Sequence, residues 1–354
     1  MLCWLPAILI LAAHRQFADI MQHHFASSIG HGSPSYLDAY LAPLAPYLSR
    51  EDVTDLFINV PGEVWTETLD GTIEHHVMPE LTEVELWRLA RQIAAASHQG
   101  ISREYPLLSA TLAGDLRVQI VAPPAARRGP IFAFRKHLVP DMTLADYLAG
   151  EAFCETRHKR ASSLAERLPE PLLAEPSDKA RFLKELVQAG RNILISGGTS
   201  SGKTTFLNAL LKEVPASQRL VLIEDTPEVI VSQPNVAAML ASKGGLAEAR
   251  ASADDLLQAA LRLRPDRIIL GEVRGGEAYT FLRAVNTGHP GSMTTIHADS
   301  ADGALEQLAL IVLQTGTQLR REDIIHYARS TIHAVVQLER RGGQRRISEI
   351  LITR

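Results

Sequence analysis

The sequence predicts an α/β protein of two domains, the second of which contains a parallel sheet covered by helices. Three observations lead to this prediction. The chain has 354 residues, which is long for one domain and comfortable for two. From about residue 177 onward, short apolar runs of β type alternate with helical segments. A glycine-rich stretch, GGTSSGKTT, joins one of these runs, NILISG, to a helical segment, FLNALLKEV.

The composition argues against some classes of function. The chain has 36 basic and 40 acidic residues and a net charge of −4, which disfavours a protein that holds nucleic acid by bulk charge. Its cysteines, Cys3 and Cys154, are too few for a disulfide framework and lie in no Cys/His cluster. This cysteine usage indicates a reducing cytosol.

Residues 1–35 are predicted to form an apolar N-terminal extension. The stretch MLCWLPAILILAA is too short to span a bilayer and lacks the basic region of a signal peptide. Three interpretations stay open: an interfacial anchor, a partner-binding helix, or an over-extended start with Met21 as the true initiator.

A mixed α/β domain is predicted over residues 36–150. YLDAYLAPLAPYL has helical spacing of its apolar residues, and DVTDLFINVPGEVWTETLDGTIEHHV predicts strands separated by Pro-Gly and Asp-Gly turns. A capping box at Thr82 and Glu85 then opens an amphipathic helix. RVQIV and IFAFRK alternate in polarity as strands do.

The remainder of the chain is predicted to be a linker and a second domain. Residues 151–176 mix charged residues with prolines, which is typical of a linker between domains. Residues 177–354 form the second domain, with RLVLIED and RIILGE as two of its buried strands. AVVQLERRGGQRRISEILI predicts a closing β-hairpin that turns at Gly342 and Gly343.

The glycine-rich stretch fits the phosphate-loop pattern G-x-x-x-x-G-K-[ST]. Its glycines let successive backbone N–H groups point at phosphate oxygens, and the helix that begins there favours an anion. We expect Lys203 to reach the β- and γ-phosphates of ATP and the Thr204 hydroxyl to ligate Mg²⁺. A chance glycine-rich turn is the alternative, but a strand precedes the stretch and a helix follows it, as the motif requires. The predicted nucleotide-binding residues are Gly197, Gly198, Thr199, Ser200, Ser201, Gly202, Lys203, Thr204 and Thr205.

Two predicted strands end in acidic residues. LVLIEDTPEV ends its apolar run with Glu224 and Asp225, and Glu228 follows; RPDRIILGEVRGGEA ends with Glu272, followed by Arg274. In an open parallel sheet, ligands bind outside the carboxyl ends of the strands, so both acidic groups should lie beside the phosphate loop. Such carboxylates hold Mg²⁺, directly or through water, or take a proton from the attacking water. The alternative is that they end their strands in solvent.

The segment NTGHPGSMTTIHAD contains two histidines, His289 and His297. His297, at the end of a predicted strand, is suitably placed to sense a γ-phosphate, although a histidine in a half-buried strand is more often a core residue. A zinc site made by His289 and His297 has little support, because no third ligand follows at metal spacing.

The four segments GGTSSGKTT, IEDTPEV, RPDRIILGEVRGGEA and TGHPGSMTTIHAD, in this order, resemble those of the secretion traffic ATPases. These are the hexameric motors of type II and type IV secretion, pilus assembly and conjugation. The resemblance covers residues 36–354 and includes an atypical Walker B strand, in which IILGE has glycine where aspartate is usual. The four-cysteine zinc insertion of the type II motors is lacking here, which favours the branch of type IV secretion and conjugal DNA transfer.

The resemblance implies a RecA-like ATPase domain at the C-terminus and a smaller PAS-like α/β domain at the N-terminus that closes over the nucleotide. It also implies a homohexamer that is cytoplasmic and peripheral at the inner face of the bacterial inner membrane. The implied partners are inner-membrane channel proteins, a coupling protein, and a cargo that is a protein or a DNA–protein complex. No specific DNA readout is expected.

The resemblance also implies roles for individual residues. It makes Glu272 the catalytic glutamate, Glu224 a support for the water or Mg²⁺, and His297 the histidine of the family's His box. In the first domain, Arg117 and Arg135 match arginines that reach the γ-phosphate in relatives, although surface arginines on strands are a real alternative.

Other functions remain open at this stage. A RecA-like ATPase that remodels nucleic acid is the main alternative, and the net negative charge counts against it. A nucleotide-binding scaffold with little turnover is a second, and a small-molecule kinase a weaker third. The sequence does not determine which cargo is transported.

Overall fold

The structure, a computed structural model, consists of two compact units that divide between residues 140 and 141. The predicted N-terminal extension, 1–35, lies outside the described residues. None of the described helices is long and apolar enough to cross a membrane. The structure describes residues 36–69, 71–113, 116–136, 141–160, 174–241, 251–341 and 344–353.

The first unit is an antiparallel sheet with helices on one face. Its strands lie in the order β3-β2-β1-β6-β5-β4. Its helices are α1 (Tyr36–Leu41), a 3₁₀ turn (Ala42–Leu44), α2 (Ala45–Leu48) and α3 (Glu83–Ala96). Its strands are β1 (Val53–Ile58), β2 (Glu63–Thr68), β3 (Ile73–Val77), β4 (Leu107–Leu112), β5 (Leu116–Val121) and β6 (Ile131–Lys136).

Helix α3 shows why this unit folds as the sequence predicts. The Thr82 side chain accepts the Glu85 N–H and caps the first turn. The apolar stripe of the helix is buried against one face of the sheet, in a core shared with alternate residues of the strands. In β5 the alternation buries Val118 and Ile120 and leaves Arg117 and Gln119 on the opposite face.

The second unit is built on an eight-stranded sheet in the order β10-β9-β11-β12-β8-β13-β14-β7. Its helices are α4 (Leu144–Ala149), α5 (Pro176–Gln188), α6 (Lys203–Leu211), α7 (Ala253–Ala260), α8 (Glu277–Asn286), α9 (Ala301–Leu313) and α10 (Arg321–Thr331). Its strands are β7 (Arg157–Arg160), β8 (Ile193–Gly197), β9 (Leu220–Glu224), β10 (Val236–Leu240), β11 (Arg267–Leu270), β12 (Met293–Ile296), β13 (Ala334–Arg341) and β14 (Gln344–Ile352).

The six strands from β10 to β13 in this order run parallel. Strands β8, β9, β11 and β12 are buried at every residue, because helices pack on both faces of the sheet and form two separate hydrophobic cores. Strand β14 pairs antiparallel with β13, as the predicted hairpin requires. Its turn glycines, Gly342 and Gly343, lie outside the described residues.

The boundary between the units differs from the predicted one. Helix α4, assigned from the sequence to the 36–150 domain, belongs to the second unit, where Tyr147 packs edge-on against Phe206 at 5.1 Å between ring centres. The predicted linker, 151–176, contains strand β7, which pairs in parallel with β14. Its sequence, RHKR, is compatible with a strand because β7 lies at the edge of the sheet, where Arg157, His158 and Lys159 are exposed.

Candidate functional site

A tight loop joins strand β8 to helix α6 and consists of residues 198–202. Gly202 has a φ of +91°, a left-handed conformation that favours glycine. A Cβ on Gly197 would lie 2.4 Å from Ser201 Oγ and 2.7 Å from the Leu338 carbonyl oxygen. Both glycines are therefore required by the loop geometry, which brings the backbone close to the N-terminus of α6.

The loop geometry predicts different effects for two neighbouring glycines. We expect Gly197→Ala to lower the free energy of unfolding by about 1–3 kcal/mol, because backbone and side-chain atoms occupy the space of the new methyl group. Gly198→Ala is the matched control, since nothing lies within 4 Å of its Cβ position. The free energy of unfolding of both variants, measured with denaturant and without nucleotide, tests this expectation. Equal stability of the two variants would contradict the close packing around Gly197.

Lys203 is held over the loop that precedes it. Its Nζ donates hydrogen bonds to the carbonyl oxygens of Gly197 (2.9 Å) and Gly198 (3.1 Å), and lies 3.3 Å from His297 Nδ1. Burial lowers the pKa of Lys203 to about 8. The carbonyl partners of Lys203 are neutral and do not cancel the charge of its ammonium group. That charge therefore stays available for an anion that reaches the loop.

A short chain of polar contacts leads from this lysine to the end of strand β11. His297 Nε2 lies 2.8 Å from Glu272 Oε1, and the Arg274 guanidinium binds the other carboxylate oxygen. Burial, with the positive charges of Lys203 and Arg274, lowers the pKa of His297, while Glu272 opposes the shift. A neutral imidazole can therefore accept from Lys203 at Nδ1 while its Nε2 lies beside the Glu272 carboxylate.

The acidic residues at and after the end of strand β9 have separate tasks. Glu224 is buried, and its Oε1 accepts the N–H groups of Glu228 (2.8 Å) and Val229 (2.7 Å). The Thr204 hydroxyl donates to Glu228 Oε2 at 2.9 Å. The carboxylate beside the predicted Mg²⁺ ligand is thus that of Glu228, whereas Glu224 holds the loop that carries it.

The pair Thr204 and Glu228 fits a magnesium ion. A hydroxyl and a carboxylate are the hard oxygen donors that Mg²⁺ prefers, and the ion commonly takes only one or two protein ligands beside phosphate and water. No role for Glu228 was predicted from the sequence. The available signal was its position in IEDTPEV, four residues after the end of the strand.

The atypical Walker B glycine has a steric reason. A Cβ on Gly271 would lie 3.3 Å from Glu224 Cγ, so glycine allows the ends of β9 and β11 to approach closely. The following turn is fixed by Glu277, a residue that was not predicted from the sequence. Its Oε1 accepts the N–H groups of Arg274 (2.6 Å) and Gly275 (2.7 Å).

The two predicted arginines, Arg117 and Arg135, lie in the first unit. They are direct neighbours across β5 and β6 on the sheet face opposite the core. Arg135 Nε lies 3.5 Å from Asp55 Oδ1. The phosphate loop, Glu272 and His297 all lie in the second unit.

The fold and this site define the class of the protein: a P-loop ATPase with a RecA-like core and a smaller α/β unit before it. A family model described as type II/IV secretion system protein matches residues 162–342. The chain is 40% identical over 326 residues to the type IV secretion system protein VirB11 of Bartonella henselae, covering 88% of this chain and 91% of the relative. It belongs to this family of secretion ATPases, which confirms the resemblance inferred from the motifs.

Further relatives agree with this assignment. The type IV secretion system protein PtlH of Bordetella pertussis is 38% identical over 325 residues, which cover 89% of this chain and 94% of the relative. The structure of the pilus retraction motor PilT with bound ADP superposes with a TM-score of 0.56 at 19% identity, covering 90% of this chain and 82% of that one. The PilT comparison supports the fold alone.

Proposed function

We propose that this protein is a hexameric ATPase that drives type IV secretion or conjugal transfer, by using ATP hydrolysis to move its first unit relative to its second. The observation that carries the proposal is the chain of contacts from Lys203 through His297 to Glu272. This chain of contacts connects the phosphate loop to the Glu272 carboxylate, which can activate water. Hydrolysis is thereby coupled to Lys203 and His297, the groups that respond to the γ-phosphate.

Each residue of the site has a proposed task. Lys203 and the N–H groups at the start of α6 bind the phosphates, and Thr204 and Glu228 hold Mg²⁺. Glu272 accepts a proton from the attacking water, and His297 and Arg274 position its carboxylate. Mg²⁺, when bound, neutralises charge on the phosphates.

The names of the relatives support a proposal for the partners and the location. VirB11 and PtlH are named as type IV secretion system proteins. We infer that this chain docks on inner-membrane channel proteins and a coupling protein at the cytoplasmic face of the membrane. The cargo is then a protein or a DNA–protein complex, and the net charge of −4 argues against specific DNA readout by the motor itself.

The proposed assembly can be tested by sizing. Light scattering with a non-hydrolysable ATP analogue and Mg²⁺ should give a particle of six subunits, because nucleotide binding stabilises the conformation that packs in a ring. ATP turnover with and without DNA should be measured on the same sample. A strict monomer would contradict the ring, and turnover that depends on DNA would favour the nucleic-acid-remodelling alternative.

A second prediction concerns Arg117 and Arg135. Either arginine, if it contacts the γ-phosphate, should be worth roughly 10³-fold in turnover and little in ADP affinity. We expect Arg135→Ala and Arg117→Ala to show this pattern in steady-state turnover and ADP titrations. Gln119→Ala, on the same face of β5, is the control.

Mixed assemblies locate the contact. Arg135→Ala subunits combined with Glu272→Gln subunits recover activity only if the arginine acts across a subunit boundary, and we expect action within one chain. If both arginine variants turn over ATP normally, these arginines are surface residues.

A further inference from the structure

The segment that connects His297 to helix α9 is held by the hairpin of β13 and β14. Gln337 of β13 donates from Nε2 to the Ala298 carbonyl oxygen at 3.2 Å. Glu349 of β14 accepts the Ala301 N–H at 3.2 Å. Gln337 and Glu349 are buried, and they are direct partners across the hairpin. The hairpin therefore holds this segment at two points, and the point held by Gln337 is the residue next to His297.

Gln337 also lies close to the phosphate loop. It is the register partner of Ser196 in β8, the strand that leads into the loop. It lines a cavity of about 490 Å³ together with Thr199 and Ser201 of the loop and with His297. One buried amide thus borders both the phosphate loop and the segment that carries the histidine.

The position of His297 depends on support of this kind. About half of its side chain, 48%, is exposed, so packing alone does not fix the ring. Its contacts are 3.3 Å long to Lys203 and 2.8 Å long to Glu272. A shift of about 1 Å would lengthen both beyond hydrogen-bond distance. The backbone that carries the ring must therefore be held in place, and Gln337 holds it one residue away.

The orientation of the Gln337 amide follows from its partners. Its Nε2 is also 3.3 Å from the Leu338 carbonyl oxygen, so the reverse orientation would place an oxygen against two carbonyl oxygens. Its Oε1 is buried and has no hydrogen-bond partner among the described residues. A buried acceptor without a partner is destabilising. An apolar residue of the same size would remove that cost while it removed the bond to Ala298, and such a variant should stay folded.

We propose that Gln337 is a positioning residue for ATP hydrolysis, which holds the Ala298 carbonyl and thereby keeps His297 in contact with Lys203 and Glu272. This role rests on the proposed function, in which Glu272 activates water and His297 positions its carboxylate. The hydrogen bonds of Gln337 go to the backbone of β13 and of the histidine segment. Gln337 therefore acts on the chemical step and little on nucleotide affinity.

The first test is the kinetics of Gln337→Met in the full-length chain. Turnover at saturating ATP should fall about tenfold or more, while the affinity for a non-hydrolysable analogue, measured by calorimetry, stays within about twofold. Asn192→Leu is the matched control, because Asn192 is a buried amide at the other end of β12. Its Oδ1 accepts the N–H groups of Gly291 (2.8 Å) and Ser292 (3.2 Å). This control should keep native turnover.

The second test is the titration of the His297 imidazole by NMR, without nucleotide. Burial and the charges of Lys203 and Arg274 lower the pKa of His297, and Glu272 opposes that shift. Three further charged residues line the same cavity: Asp299, Glu339 and Arg340. In Gln337→Met the ring should move into water, so its pKa should rise toward the usual value. Turnover of this variant should then fall more steeply than native turnover as the pH is lowered, because a protonated imidazole cannot accept from Lys203.

Two further measurements complete the design. Thermal unfolding without nucleotide checks that Gln337→Met is folded. Gln337→Asn keeps an amide but is one methylene shorter, so it should lose the contact to Ala298 and resemble Gln337→Met in turnover and in the titration of His297.

The outcomes separate this proposal from the proposed function. Native turnover in Gln337→Met overturns it, and so does a fall in turnover without a change in the His297 titration. An equal loss of turnover in Asn192→Leu also overturns it, because the effect would then be a general loosening of β12. A native chain without ATPase activity would contradict the proposed function instead, and the titration, which needs no ATP, would still decide whether Gln337 positions His297.

Discussion

Replacement of Lys203 by alanine is expected to abolish ATP hydrolysis and to weaken nucleotide binding strongly. Lys203 is the one basic residue in the stretch 197–205, so the β- and γ-phosphates lose their loop cation. The variant also loses the contact to His297, which connects the loop to Glu272. Turnover by phosphate release and affinity by calorimetry measure the two effects.

The pH dependence of binding gives this prediction a second readout. The pKa of Lys203, lowered to about 8 by burial, means that the amine is increasingly neutral above that pH. Since phosphate binding needs the charged form, affinity for a non-hydrolysable analogue should fall about tenfold between pH 7 and pH 9 in the native chain. This part of the dependence should vanish in Lys203→Ala.

The control lies on the same helix. Lys212 follows the last turn of α6 and pairs with Asp141 at 2.5 Å, remote from the loop. Lys212→Ala should bind and hydrolyse ATP normally. Near-normal turnover in Lys203→Ala would contradict both the phosphate-loop assignment and the proposed motor.

Local patterns explain why much of the second unit could be predicted from the sequence. The strand, loop and helix around GGTSSGKTT are contiguous, and strand ends in a parallel sheet meet at one edge, so the proximity of Glu272 and His297 to Lys203 follows from topology. Glu277 was missed because it acts through two backbone N–H groups, a geometry that sequence spacing does not reveal.

Features that depend on distant pairing could not be predicted. Strand β7 is a run of basic residues, RHKR, and it pairs with β14, which comes near the end of the chain. The roles of Glu224 and Glu228 could not be separated either, because Glu224 ends strand β9 and Glu228 follows it by only four residues. Only the folded loop shows that Glu224 faces backbone N–H groups while Glu228 faces the Thr204 hydroxyl.

Replacement of Glu272 by glutamine is expected to separate binding from chemistry. An amide cannot take a proton from water, and loss of a general base costs on the order of 10²- to 10⁴-fold in rate. The amide keeps the size of the side chain and an oxygen for Arg274, so ATP should stay bound without turnover. A filter assay for retained nucleotide, run beside phosphate release, measures both.

Glu224→Gln is the comparison that decides the assignment. An amide oxygen at this position can still accept the N–H groups of Glu228 and Val229, so the loop after β9 should keep its shape and turnover should change little. If Glu224→Gln instead traps ATP while Glu272→Gln stays active, the two carboxylates have been assigned the wrong way round. Because His297 and Arg274 both contact Glu272, whereas Glu224 accepts two backbone N–H groups, we expect the trapped state in Glu272→Gln.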